Sequence, residues 1–216
     1  MKNVSERAST WVLILMIGAG TAVAGNEDRI KYLGDLENEV FREINLARSD
    51  PDQYATFVAA WIPHFDGRVR RLPDRPAIQT QEGADAVREA VRFLEDTRPV
   101  DVLRPSQGMS LGARDHVANM GPRGALGHTG RDGSSFGDRI NRHGKWKRLV
   151  GENITYGGDI AREIVIRLIV DDGIEDRGHR TNLFDPDYEV IGVACGSHKL
   201  YDTMCVMTFA GDYIEE

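Results

Sequence analysis

The stretch IGVACGSHKLYDTMCVMTF, residues 191–209, contains both cysteines of the chain, Cys195 and Cys205. Two runs of apolar and small residues flank a polar centre, which indicates two antiparallel strands joined by a turn. The register that places Cys195 opposite Cys205 also collects two apolar pairs on the same side of the hairpin, Ile191 with Phe209 and Val193 with Met207.

The other side of this hairpin is also free of charge. It would carry four small or apolar residues, Gly192, Ala194, Val206 and Thr208. A sheet with two such faces can be covered by helices on both sides. The stretch therefore predicts a hairpin at the centre of a layered domain.

The first residues are typical of a secretory signal peptide. Lys2 and Arg7 precede an apolar run over residues 11–19, and Ala22-Val23-Ala24 supplies the small residues that signal peptidase accepts. We therefore expect cleavage after residues 1–24 and a secreted or periplasmic protein, with a retained membrane anchor as the alternative. No transmembrane segment is expected after cleavage.

Export bears on the state of the two cysteines. An even number of cysteines in an oxidising compartment favours a disulfide, so Cys195 and Cys205 are expected to be bridged across the two strands. The alternative is a pair of unlinked thiols in the core.

Length and charge restrict the organisation and the partners of the chain. The 216 residues carry a formal charge of −7, and loss of residues 1–24 removes two basic residues and one acidic residue, which gives −8. An acidic chain disfavours a nucleic-acid partner. The remaining length suits one domain, since two independent domains would each be small.

Helices are predicted before the hairpin. Apolar residues recur every three or four positions over 35–48, 82–95 and 106–120, and again after Asp159, which is expected to cap its helix. Asp50 and Pro51 form a helix start, so another helix is expected from there to Pro63. Residues 63–77 are expected to form an exposed loop. Helices followed by strands indicate an α+β fold with helices layered on a small antiparallel sheet.

Three glycine-marked segments carry side chains suited to proton transfer or metal binding. They are Gly127-His128, Gly151-Glu152-Asn153-Ile154 and Gly178-His179. Imidazole and carboxylate are the groups most used for both tasks. Their spacing matches no local metal-ligand pattern, so one site would have to be assembled from distant parts of the chain.

In combination with further motifs, these segments resemble a bacterial member of the CAP superfamily, named for cysteine-rich secretory proteins, antigen 5 and pathogenesis-related proteins. The further motifs are Asn45-Leu46-Ala47-Arg48, residues 113–116, Asp171-Asp172-Gly173, Arg177-Gly178-His179-Arg180 and the closing run over residues 205–209. The resemblance extends over about residues 33–213. We therefore expect a single CAP domain, also called an SCP domain, over residues 33–215.

The resemblance implies a three-layer α/β/α sandwich with a central cleft lined by two histidines and two acidic residues. His128, Glu152 and His179 match three of these four positions. The fourth is a family glutamate three residues after a helix tryptophan. Leu168 stands at the tryptophan position, which makes Asp171 the counterpart, with Asp172 and Glu175 as alternatives.

One departure from the family limits what the resemblance implies about function. Arg180-Thr181-Asn182 replaces the aromatic residue and threonine that animal and plant members carry after the second histidine. Functions known for those branches therefore transfer poorly to this chain.

Two interpretations of the cleft stay open. Two neutral imidazoles beside one or two carboxylates suit a divalent metal such as Zn²⁺, with His128 and His179 as ligands and water completing the coordination. Alternatively, the histidines donate to the carboxylates and merely hold the sandwich together. Other histidines, among them His116, His143 and His198, are assigned no chemical role.

Three functions compete at this point. The favoured one is a secreted binding protein for a small apolar ligand, a divalent metal or an extracellular protein partner. The second is a metal-assisted hydrolase in which Glu152 or a histidine activates water, although no nucleophile motif is present in the sequence. The third is an envelope interaction or signalling module whose loops make the contacts. Catalytic residues are not assigned.

Overall fold

The computed structural model describes residues 29–216, so the expected signal peptide lies outside the described residues. The helices in this part are α1 (Asp35–Ser49), α2 (Pro51–Ala59), α3 (Ala84–Asp96), α4 (Gln107–Met120), α5 (Phe136–Ile140), α6 (Ala161–Val170) and α7 (Gly178–Phe184). The strands are β1 (Phe65–Asp66), β2 (Val69–Arg70), β3 (Ile78–Gln79), β4 (Arg104–Pro105), β5 (Gly144–Tyr156), β6 (Val190–His198) and β7 (Asp202–Glu215).

The predicted hairpin and its register are confirmed by strands β6 and β7. The two strands pair antiparallel, with Cys195 opposite Cys205. The expected apolar pairs are present, Ile191 with Phe209 and Val193 with Met207. Cys195 and Cys205 form the predicted disulfide.

The main sheet has the strand order β4-β6-β7-β5. Strand β5 pairs antiparallel with β7 on the side opposite to β6 and forms an edge of the sheet. The two-residue strand β4 runs parallel to β6 at the other edge, which adds a short parallel element to the expected antiparallel sheet. A second, small sheet consists of β1, β2 and β3.

Helices cover both faces of the main sheet, as the two uncharged faces of the hairpin predict. On one face, Val193, Met207 and their neighbours in the sheet pack in a core with residues of α1, α2, α3, α6 and α7. On the other face, Ala194 and Val206 pack against Ala113 and Val117 of α4. The α+β prediction and the expected α/β/α sandwich are confirmed.

Gly192 shows how closely α4 approaches the sheet. A Cβ at this position would collide with the backbone of Met109 and Ser110, so only glycine permits the observed contact. Ser106 accepts a hydrogen bond from the backbone N–H of Met109 and thereby starts α4 beside β6.

The helix predictions are confirmed for α1 to α4, and Asp50 caps α2 through the backbone N–H of Gln53. The predicted cap of α6 is wrong. The helix follows Ile160 without a side-chain cap, and the Asp159 carboxylate lies 2.8 Å from Arg75 instead. The expected loop over residues 63–77 contains β1 and β2, because two-residue strands leave no periodic pattern in a sequence.

Among residues 29–216, no helix combines the length and the apolar character that crossing a membrane would require.

We expect the disulfide to stabilise the hairpin. The double variant Cys195→Ala/Cys205→Ala should lose roughly 3 kcal/mol of unfolding free energy, because the bridge restricts a short loop in the unfolded chain. Urea unfolding followed by circular dichroism measures this loss. Equal urea midpoints for the double variant and the disulfide-bonded wild-type protein would contradict the expectation.

Candidate functional site

Two histidines each contact a buried carboxylate. His128 Nδ1 lies 3.0 Å from Glu152 Oε1, and His179 Nδ1 lies 2.6 Å from Asp171 Oδ1. The carboxylate side chains are 0% and 3% exposed, whereas the rings of His128 and His179 are 48% and 25% exposed. Because a carboxylate only accepts, each Nδ1 carries the hydrogen, and in the neutral form of the ring Nε2 is then the acceptor.

The loop that carries His128 is held at several points. His116 Nε2 donates to the carbonyl of Gly127 at 2.9 Å, and the backbone N–H of Gly127 donates to the Tyr156 hydroxyl at 2.9 Å. Arg139 donates to the carbonyl of His128 at 3.0 Å. Burial, together with the charge of Arg139, lowers the pKa of His116 and favours the neutral ring, although the contact with the Gly127 carbonyl opposes this shift. The loop is therefore fixed on both sides of its histidine.

Arg139 is the residue of this site that sequence reasoning missed. Its guanidinium is buried and donates to Glu152 Oε2 at 2.6 Å, while Glu152 Oε1 faces His128. Arg139 lies in α5, a five-residue helix too short to produce an apolar period. The chain of contacts Arg139–Glu152–His128 balances a buried negative charge and orients the imidazole.

Asp171 contacts His179 with both carboxylate oxygens. Oδ2 accepts the backbone N–H of His179 at 2.9 Å, and Oδ1 accepts from the ring. Asp171 follows α6 in a left-handed conformation, with φ of 53°, which turns its side chain back toward the start of α7. This geometry distinguishes it from the alternatives: Asp172 accepts the backbone N–H groups of Gln81 and Glu82, and Glu175 is exposed.

Residues that depart from the family pattern hold α7 in place. Arg180 is buried and makes two hydrogen bonds to the Glu89 carboxylate, at 2.6 and 2.7 Å, as well as one to the carbonyl of Ile169. Asn182 donates to Asn153 Oδ1 at 2.8 Å. Arg180 therefore ties α7 to α3 and to the end of α6, beside the histidine it follows in sequence.

The two histidine–acid pairs approach edge strand β5 from opposite faces of the sheet. Glu152 and Asn153 are consecutive, so their side chains point to opposite faces. Glu152 contacts His128 and Arg139, whereas Asn153 donates to the carbonyl of His179 at 2.8 Å. Two adjacent residues of one strand thus support both histidines.

The four predicted residues border two adjoining depressions. His128, Glu152 and His179 line a polar cleft of about 490 Å³. His179 and Asp171 line a larger cavity of about 680 Å³. His179 lines both, so the polar cleft and the larger cavity adjoin at this residue.

The larger cavity is mainly apolar. Aromatic and aliphatic side chains line it, including Trp61, Phe65, Leu126, Ile154, Leu168 and Tyr201. Two arginines, Arg70 and Arg167, also reach its wall. Further polar residues complete the wall: Gln79, Thr80, Gln81, Thr155, Asp171, Asp172 and His179. A cavity of this size that combines apolar surface with polar groups is typical of a small-molecule site.

The donor set suits a metal site with two imidazole ligands. A carboxylate that accepts from Nδ1 fixes the tautomer in which Nε2 is free to bind a metal. Metal-binding histidines usually have such a hydrogen-bond partner on their other ring nitrogen. Within residues 29–216, however, no group of three or more His, Cys, Asp or Glu side chains is arranged to hold a metal ion. A metal bound here would therefore need water for its remaining coordination.

The other histidines have structural contacts. His143 lies 3.0 Å from the Asp115 carboxylate, away from the cleft. His198 lies at the end of β6, next to the hairpin turn. Its ring is buried and contacts the carbonyl of Ala125 at 3.1 Å, because the turn folds over the loop that precedes His128.

Sequence comparison agrees with the fold. The family model described as CAP, cysteine-rich secretory protein family, matches residues 74–209. This match covers more than half of the chain, so the chain belongs to the CAP family, as its motifs indicate. Comparison with curated proteins gives no match.

Two solved structures are similar to the chain. One is an extracellular protein containing an SCP domain from Bacillus anthracis str. Ames, with 22% identity and a TM-score of 0.41 over 51% of this chain and 34% of that one. The other is an outer surface protein from Borrelia burgdorferi, with 16% identity and a TM-score of 0.44 over 59% of this chain and 86% of that one. The chain thus spans about a third of the length of the Bacillus protein.

We expect Arg139 to stabilise the fold through Glu152. Arg139→Met should lower the unfolding free energy by about 3–5 kcal/mol, because it leaves a buried carboxylate without its cation. The double variant Arg139→Met/Glu152→Gln should recover part of this loss. Urea unfolding provides the measurement.

Arg142→Met is the matched control for this expectation. Arg142 also pairs with acidic residues, Asp115 and Asp132, but at the exposed surface, so little change is expected. Equal effects of Arg139→Met and Arg142→Met would show that the buried contact has no special importance.

Proposed function

We propose that this CAP domain is a secreted or periplasmic binding protein that holds a small apolar molecule in the larger cavity. The observation that carries the proposal is the rim of this cavity. Four large apolar side chains at the rim are 40–53% exposed, namely Ile78 (40%), Leu126 (53%), Ile174 (40%) and Tyr201 (46%). An apolar ligand would remove this surface from water.

A location outside the cytoplasm best suits this proposal. The Cys195–Cys205 disulfide is typical of proteins that fold in an oxidising compartment. The signal peptide expected over residues 1–24 would direct the chain there.

Binding is favoured over hydrolysis by the contacts of Glu152. Its two oxygens face His128 and Arg139, and its side chain is fully buried. A carboxylate that activates water needs to reach the proton it abstracts. Glu152 is therefore better placed to orient His128 than to act as a base.

Ligand binding can be tested at the rim. Leu126→Glu should weaken binding of the neutral dye Nile red by about ten-fold or more, because a charge replaces an apolar contact at the cavity mouth. Val102→Glu is the matched control, since Val102 is 54% exposed but does not line the cavity. Fluorescence titration of both purified variants measures the dissociation constants.

The outcome separates the competing functions. Equal affinity of the two variants, or no dye binding by the wild-type domain, would contradict the cavity as an apolar site. Turnover of ester, peptide or glycosidic substrates that is lost in folded Glu152→Gln protein would instead support the hydrolase. Retention of an extracellular protein that depends on surface loops would support an interaction module.

A divalent metal at His128 and His179 is a second proposal, supported by the two carboxylate contacts that leave both Nε2 atoms available. Zn²⁺ is the natural probe. His128→Ala and His179→Ala should each abolish the strongest Zn²⁺ site, and binding should be weaker at about pH 5.5 than at about pH 7.5, because imidazole binds metal only when neutral. Titration calorimetry measures both effects.

His143→Ala is the control for metal binding, because His143 also contacts a carboxylate but lies outside the cleft. It should leave the affinity unchanged. Unchanged Zn²⁺ affinity in both cleft variants would remove the metal assignment and leave the histidines as groups that hold the sandwich together.

A further inference from the structure

His198 is a buried histidine for which the proposed function has no use. It is 2% exposed and ends β6, beside the turn to β7. Both ring nitrogens have backbone partners: Nε2 lies 3.1 Å from the carbonyl oxygen of Ala125, and the backbone N–H of Leu200 donates to Nδ1 at 3.3 Å. Because a carbonyl only accepts, Nε2 carries the hydrogen. The two contacts therefore select the neutral ring, with Nδ1 as the acceptor.

An aromatic cluster joins the hairpin turn to the loop over residues 124–128. Its three rings have centroids between 5.1 and 5.8 Å apart and belong to Tyr156, His198 and Tyr201. His198 donates to the carbonyl of the residue before Leu126, and the Tyr156 hydroxyl accepts the backbone N–H of the residue after it. Leu126 and Tyr201 both line the larger cavity. The cluster therefore holds two side chains of the cavity rim in place.

Protonation of His198 is incompatible with these contacts. A cationic imidazole carries a hydrogen on both nitrogens, so Nδ1 and the backbone N–H of Leu200 would be two donors facing each other. In the described part of the chain, three other histidines pair with a carboxylate, whereas His198 contacts none. A histidine that is buried in its neutral form must gain a charge in acid. The contacts are thus present above the titration of the imidazole and are lost as the pH falls through it.

The other titratable groups around the ring do not compensate its positive charge. Tyr156 packs against it from β5, and burial raises the pKa of this hydroxyl, which stays neutral in acid. Tyr201 packs against it from the turn. From α4, His116 binds the same loop, and burial lowers its pKa. Charged or chargeable residues on the turn, on β7 and on the loop are exposed to water, namely Lys199, Asp202, Arg123 and His128.

We propose that His198 is a pH-sensitive latch at the rim of the larger cavity. The neutral ring holds the hairpin turn and the loop of Leu126 together, and protonation in acid releases both. The domain therefore retains a cavity ligand near neutral pH and releases it at acidic pH. This last step rests on the proposed function, whereas release of the turn is a property of the latch itself.

Amide hydrogen exchange measured by NMR tests the latch without a ligand. In the wild-type protein, the protection factor of the Leu200 backbone N–H falls about ten-fold between about pH 7.5 and about pH 5, because protonated Nδ1 no longer accepts this hydrogen. The protection factor corrects for the intrinsic pH dependence of exchange. The backbone N–H of Val100 donates to the carbonyl of Arg48, and as the internal control it keeps its protection.

Two variants separate His198 from the other histidines. His198→Gln does not titrate, so its Leu200 protection factor is the same at both pH values. His143→Gln is the matched control, because His143 is also partly buried but contacts the Asp115 carboxylate, and it retains the wild-type fall. An unchanged Leu200 protection factor in the wild-type protein, an equal fall at Val100, or the same fall in folded His198→Gln overturns the latch. The comparison of Leu200 with Val100 stays decisive even where His198→Gln does not fold.

Nile red titration then tests whether the latch controls the cavity. The wild-type protein binds the dye about ten-fold more weakly at about pH 5 than at about pH 7.5, and His198→Gln binds it equally at both. Equal binding by the wild-type protein at both pH values overturns control of the cavity by His198. Absence of dye binding at either pH overturns the proposed function, whereas a loss of Leu200 protection in acid still supports release of the turn.

Discussion

Strand β7 is the constraint on which the rest of the structure depends, because it pairs with β6 on one side and β5 on the other. The disulfide partner Cys205 and the neighbouring residue Val206 lie on opposite faces of this strand. One face packs with five helices, α1, α2, α3, α6 and α7, and the other with α4. The same pairing places Glu152 opposite Thr208 and Asn153 opposite Met207. A shift by one residue would exchange both core faces and move Glu152 away from Arg139.

The site follows from this register with few additional contacts. Arg139 compensates Glu152 on one face of β5, and Asn153 holds the backbone of His179 on the other. The buried charges of Glu152, Asp171 and Arg139 each have a partner within the site, as the cost of burying charge requires. The two histidines remain partly exposed at the ends of these contact chains. The buried carboxylates hold the rings in place, and the histidines are the groups that solvent or a ligand can reach.

Much of this arrangement could be predicted from the sequence, and the failures have physical causes. The cysteine pair and the apolar residues around it determine the hairpin register, and the motifs around His128, Glu152 and His179 indicate the cleft. Arg139 and Arg70 were not predicted as buried residues, because an arginine near glycines or prolines is normally exposed. Asp159 has the properties of a helix cap, but Arg75 competes for its carboxylate through a tertiary contact.

The shared position of His179 gives the polar cleft and the apolar cavity a physical connection. Asp171 fixes the ring through Nδ1, and His179 lines both depressions. A ligand that contacted His179 from the cavity would change the surroundings of a metal at Nε2, and the metal would in turn change the surroundings of the ligand. If both bind, thermodynamic linkage requires that each alters the affinity of the other by the same factor. Asp171 limits how far the ring can adjust, because it also binds the backbone N–H at the start of α7. The coupling would therefore act through direct contact and charge at one imidazole, without a change in the fold.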